Sequence, residues 1–146
     1  MDLKQIKRFV KKISTNDDIR IKFYDYKIKN IIPEVIDSWI GFAIFTDNGK
    51  FIYIKEKTWN KLSRIHKRSL LFHETGHIKK GIHHKSEIID ELNAHRWVIN
   101  RSRKLKMYSI HRQLKKDLRQ WNNYKWNSPG RKYILAYKLA KEKGII

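Results

Sequence analysis

Five consecutive residues carry the plainest chemical pattern in the chain, His73-Glu74-Thr75-Gly76-His77, a His-Glu-x-x-His sequence. On a helix the two histidines stand one turn apart on the same face, so both imidazoles can bind one Zn²⁺. Glu74 then sits beside them, placed to take a proton from an attacking water. With 7 His and 6 Glu among 146 residues, chance produces this spacing on the order of 0.01 times per chain of this composition. The pattern is therefore read as a metal site with its own general base.

A catalytic zinc takes three protein ligands and leaves a fourth position open. Glu91, in Glu91-Leu92-Asn93-Ala94-His95-Arg96-Trp97, is the favoured third ligand, because the small Ala94 lets its helix approach the motif helix closely. His83, six residues after His77, competes with it. In the His-Glu-x-x-His-x-x-Gly-x-x-His arrangement, however, the glycine falls at position 80, which here is Lys80, with Gly81 one residue late. Glu87 and Asp90 stay open as substitutes. No residue stands out as the donor for a developing oxyanion; His95, Tyr108 and His111 are candidates by type alone.

These residues need a scaffold. Leu3, Ile6, Val10 and Ile13 recur at helical spacing behind Asp2, a capping residue. Ile19, Ile21 and Phe23 alternate with polar neighbours as in a half-buried strand. The runs 39–45 and 51–54, joined by Thr46-Asp47-Asn48-Gly49-Lys50, read as a hairpin. The rest is helical. Ser63 caps the motif helix, which Gly81 is placed to stop in a left-handed turn; further helices are expected over 86–104, 109–126 and, after the breaker Asn127-Ser128-Pro129-Gly130, 131–143. The expectation is an α+β chain with a small three-stranded sheet, antiparallel or mixed. That sheet packs on the motif helix and the ligand helix, with residues 1–104 as core and 105–146 as a helical C-terminal extension of the same domain.

The stretch Leu70-Leu71-Phe72-His73-Glu74-Thr75-Gly76-His77, followed by Glu91-x-x-Ala94-x-x-Trp97, resembles the ImmA/IrrE family of small zinc metallopeptidases common in phages and other mobile elements. The resemblance covers about residues 39 to 100. It implies a minimal zincin-like fold, zinc held by His73, His77 and Glu91, and peptide-bond hydrolysis with Glu74 as general base passing the proton to the leaving amine. It also implies a protein or peptide substrate, plausibly a DNA-associated regulatory protein, in a bacterial host. In such enzymes an edge strand before the motif helix pairs with the substrate, a role that Phe51-Ile52-Tyr53-Ile54 would fill.

Composition sets the remaining bounds. At 146 residues, 40% apolar and 33% charged, the chain suits one globular domain. Cysteine is absent, which excludes disulfides, thiolate ligands and a Cys nucleophile. No apolar run reaches the ~18 residues of a membrane span and the first residues lack an apolar signal core, so a cytoplasmic protein without membrane contact is expected. The net charge of +20 is uneven: residues 101–146 hold 14 Lys/Arg against Asp117 and Glu142, interleaved with Tyr108, Trp121, Tyr124, Trp126, Tyr133 and Tyr137. Cations and stacking surfaces in that mixture suit a nucleic acid. The alternative to a peptidase is therefore a nucleic-acid-binding or regulatory protein that keeps a non-proteolytic zinc site.

Overall fold

Asp2 begins the first helix with a reciprocal cap. Its carboxylate accepts from the Gln5 backbone at 2.8 Å, and the Gln5 side chain accepts from the Asp2 backbone at 2.9 Å, satisfying two donors that a helix start leaves open. Helix α1 then runs Leu3–Ile13 with Ile6, Phe9, Val10 and Ile13 buried on one face. The structure is a computed structural model that describes residues 1–24, 41–46, 48–81, 86–126 and 130–145. After α1 come β1 (Ile19–Tyr24), β2 (Gly41–Thr46) and β3 (Gly49–Lys55), then a short α2 (Glu56–Trp59) and the motif helix α3 (Arg64–Gly76). The chain finishes with α4 (Glu87–Lys104), α5 (Tyr108–Gln120) and α6 (Arg131–Glu142).

The three strands form one mixed sheet in the order β1-β3-β2. β2 and β3 are the expected hairpin, with Gly49 at φ +128°, a conformation that suits glycine. Asp47 in that turn, and Trp39 and Ile40 of the expected strand, lie outside the described residues. β1 returns parallel to β3 with Ile21 opposite Ile52. Ile52 and Ile54 are fully buried between their neighbours, so β3 is the centre of the sheet. This corrects the expectation that 51–54 is a substrate-pairing edge: both its hydrogen-bonding edges are taken, and β2 is the edge strand that borders the motif helix.

Ser63 caps α3 and Ser86 caps α4, each accepting from the backbone three residues on at 3.4 Å. The motif helix does not stop in a left-handed turn at Gly81. It widens at His77 into a π-helical turn, His77–Gly81, which buries Ile78 and brings Lys79 to Asp17 at 3.0 Å. Asp17 also binds Lys50 at 2.8 Å, so one carboxylate ties the hairpin to the end of the motif helix. Burial pushes the Asp17 carboxyl up, but the two ammonium groups more than offset it and hold it below the ordinary range. The third helix of the C-terminal half ends before residue 126. After Gln120 the backbone tightens into a 3-10 turn, Trp121–Asn123, that turns the Trp121 ring into the core.

α3 and α4 meet where side chains are smallest. A Cβ on Gly76 would lie 2.8 Å from the Ala94 carbonyl oxygen and 2.8 Å from Val98 Cγ1, so only glycine permits this approach. Ala94 is fully buried at the same crossing, as its size predicts. Phe9 of α1 meets Phe72 of α3 edge-on at 5.7 Å, and the apolar interior extends from the sheet through α3 and α4 to Leu114 and Leu118 of α5 and Ala136 and Ala140 of α6.

Candidate metal centre

Close packing of α3 on α4 brings together the side chains that the sequence set apart. His73 and His77 project from successive turns, and their Nε2 atoms are 3.1 Å apart. Glu91 reaches across from α4 with Oε2 3.4 Å from His73 Nε2 and 3.2 Å from His77 Nε2. The three residues form a group that could hold a metal ion. Glu91 Oε2 is buried, and the two imidazole nitrogens are the groups that face it: where those nitrogens carry no proton, the oxygen is left without a donor. A buried carboxylate oxygen with no donor is costly, and a cation between the three groups satisfies it. Burial raises the Glu91 carboxyl, yet His77 and His73 outweigh burial and hold it well below the usual carboxylate range.

Glu74 lies beside this group on the same helix and is buried. Burial pushes its carboxyl up to about 7; the charge of Glu91 adds to the rise, while His73, Lys132 and a hydrogen bond from the Ala43 backbone oppose it. Ala43 belongs to β2, so Glu74 is tied to the edge strand of the sheet. Two buried carboxyls thus sit side by side with opposite shifts, the pattern that separates an acid/base group from a fixed anion.

The other expected residues divide clearly. Glu87 and Asp90 line the same cavity but lie outside the convergent group of ligand atoms. His83 falls outside the described residues. His111 is occupied elsewhere: its Nδ1 lies 3.0 Å from Ser102 Oγ and 3.1 Å from the Ile99 carbonyl. Tyr108 is 54% exposed, and neither residue borders the cavity. His95 does border it, with its ring 6.1 Å from that of His73 and 4.7 Å from Trp121. It is 1% exposed and neither ring nitrogen makes a hydrogen bond, although the Leu114 backbone lies close enough to favour protonation slightly. Burial, reinforced by His73, drives its imidazole down to about 3, so it is neutral.

The site opens into a cavity of about 720 Å³. Its lining includes Gly41, Phe42 and Ala43 of the edge strand and Trp121, Lys132 and Tyr133 of the C-terminal region. Lys132 Nζ is 3.6 Å from Glu91 Oε1. Burial, with Glu91 and Glu74 adding to it, holds the Tyr133 phenol well above its ordinary range and therefore protonated. Lys132 and Tyr133 are donors that sequence reasoning missed. They follow the Pro-Gly breaker on the last helix, 55 or more residues from the motif, and only folding brings them to it. Trp121 meets His73 at 5.9 Å and Tyr133 at 5.1 Å, so half-hidden aromatics of the C-terminal region form part of the cavity wall. Comparison with protein-family models, with curated proteins and with solved structures found no match.

Proposed function

We propose that the chain is a zinc-dependent metallopeptidase in which His73, His77 and Glu91 hold the ion and Glu74 is the general base. The observation that carries this reading is the set of separations among the three ligand atoms, 3.1, 3.4 and 3.2 Å. Ligands at ~2.0–2.2 Å in a tetrahedral arrangement lie about 3.3–3.6 Å from one another; the His73–Glu91 separation falls in that range and the other two lie just below it, close to the spacing that a small tetrahedral ion with a fourth, non-protein ligand would take. Two neutral imidazoles and one carboxylate are the donor set of a hydrolytic zinc site. Bound there, zinc supplies Lewis acidity and lowers the pKa of water towards ~7.

This chain's own residues supply the rest. Glu74, with a carboxyl near neutrality, takes the proton of the attacking water and returns it to the departing amine. Lys132 and the Tyr133 hydroxyl face the same cavity as donors for the oxygen on which charge develops. Among the described residues β2 is an edge of the sheet, and its Gly41, Phe42 and Ala43 line the cavity; an extended peptide adds to such an edge through main-chain hydrogen bonds. The similarity to ImmA/IrrE metallopeptidases fits this reading, with a bacterial regulatory protein as substrate. Among the described residues no helix is long and apolar enough to cross a membrane.

The test measures metal and turnover separately. Protein purified without added metal should carry about one zinc per chain, lost in His73→Ala. Glu74→Gln should keep the zinc and lose at least ~100-fold in hydrolysis of a peptide library. Folded wild-type protein that takes up no zinc would remove the metallopeptidase reading. Zinc-loaded wild-type protein that cleaves nothing would favour a regulatory protein with a non-proteolytic site.

A further inference from the structure

The outer flank of α4 holds a second cavity, of about 510 Å³, whose lining includes Lys80, Arg96, Trp97, Arg101 and Lys104 together with two asparagines. On α4 these positions recur every three or four residues, on the side of the helix opposite Glu91, Ala94, His95 and Val98, which face the metal centre and core. Among the described residues the lining contains no carboxylate, and Lys80, Arg96 and Lys104 are exposed without an ion-pair partner. Four cations around one concave surface repel each other unless an anion joins them.

Arg101 shows that the groove is built rather than incidental. Its Nε donates to the Ile13 carbonyl at 2.9 Å and its Nη2 to Thr15 Oγ1 at 2.9 Å. The guanidinium is thereby fixed while three of its five N–H donors stay available. Thr15 sits at φ +61°, a strained region for a β-branched residue, and the Arg101 contact holds it there. From Arg96 to Lys104 the helix advances ~12 Å, so the row is long enough to meet more than one phosphate of an extended strand. A single phosphate would use only part of this row. Trp97, half-buried on the floor, offers a ring on which a base can stack.

We infer that this groove binds a single strand of nucleic acid, with Lys80, Arg96, Arg101 and Lys104 on the phosphates and Trp97 against a base. The groove is additional to the basic, aromatic C-terminal region that composition suggested, and shares Arg101 and Lys104 with it. Of the aromatic residues in the basic C-terminal region, Trp121 is 5% exposed and Tyr133 packs against it in the wall of the metal cavity, while Tyr108, Tyr124 and Trp126 are exposed. Of its four cations, the groove takes Lys80 and Arg96 from the first 100 residues and Arg101 and Lys104 from beyond them.

The experiment uses the full-length zinc-loaded protein and a fluorescently labelled single-stranded DNA of about 20 nucleotides, long enough for a site of this kind, with anisotropy read between ~50 and ~200 mM salt. The triple variant Lys80→Ala/Arg96→Ala/Lys104→Ala should lose at least ~10-fold in affinity, and its salt slope should fall by about 2, at ~0.7 per phosphate contact on a single strand. Removing the same charge on α6, as Lys138→Ala/Lys141→Ala/Lys143→Ala, should change affinity less than ~3-fold. All six side chains are exposed, so both variants should keep wild-type circular dichroism and zinc content. Equal losses in the two variants would reduce the groove to general charge attraction. Duplex bound as tightly as the single strand, polyglutamate bound as tightly as the oligonucleotide, or no binding by the wild type would each overturn the assignment.

Discussion

Glu74 and Glu91 are the same residue type under nearly the same burial, yet their carboxyls shift in opposite directions. Glu91 faces two imidazole nitrogens at 3.4 and 3.2 Å and stays anionic. At Glu74 burial, helped by the Glu91 charge, outweighs His73, Lys132 and the Ala43 backbone and pushes the carboxyl up to about 7. A fixed anion suits a ligand, whereas a carboxyl that gains and loses a proton near neutrality suits a base. The ligand assignment is the sharper test at this scale. Glu91→Ala should weaken zinc binding by 100-fold or more, as the loss of one of three protein ligands requires, while His83→Ala should leave it within about threefold. Competition with a calibrated chelator dye measures both. Weakened binding only in His83→Ala would transfer the third position to that residue and leave the buried Glu91 oxygen without a purpose.

Between elements, the decisive contact is the crossing of α3 and α4 at Gly76. In an ordinary helix interior, glycine to alanine stabilises by ~0.5–1 kcal/mol. Here the added methyl meets a backbone carbonyl and Val98 at 2.8 Å, and a carbonyl cannot swing aside as a side-chain tip can. Gly76→Ala should therefore destabilise, by ~1–3 kcal/mol as overpacking does, and should weaken zinc binding as well, because moving α4 away carries Glu91 from the two histidines. Urea unfolding and zinc titration of the one variant read both effects, and a more stable protein would show that the helices can separate freely. Much of this level was legible from local signals. Asp2 and Ser63 cap the helices they were expected to cap, the next helix begins behind Ser86 as expected, and Gly49 turns the hairpin. The parallel return of β1 was not legible, because alternation along Ile19–Phe23 tells that one face is buried without telling which strand lies alongside. Lys132 and Tyr133 were hidden for a related reason: a donor brought in from a distant helix leaves no periodicity and no spacing near the motif.

Across the whole molecule, the net charge of +20 and one buried imidazole bear on the same measurement, stability against pH. Self-repulsion grows as carboxylates protonate, but it is common to any two variants that differ at one uncharged position. His95 is such a position at neutral pH. Its imidazole titrates at about 3 in the folded protein against ~6.5 in the unfolded chain, so on acidification the unfolded state binds the proton first. The contribution of His95 to stability is full above pH ~6.5 and is lost as pH falls from there towards ~3, at up to ~1.4 kcal/mol per pH unit. A bound metal ion near His73 and His77 adds positive charge and deepens the effect, so the cleanest measurement is on protein kept metal-free. His95→Leu keeps an apolar side chain against Trp121 and removes the titration. The stability of the wild type minus that of the variant should drop by about 2 kcal/mol between pH 6.5 and 5, followed by urea unfolding at each pH. A difference that stays flat over that range would mean that the ring finds a proton acceptor in the folded state, and that the pocket between α4, α5 and Trp121 is wetter than its packing implies.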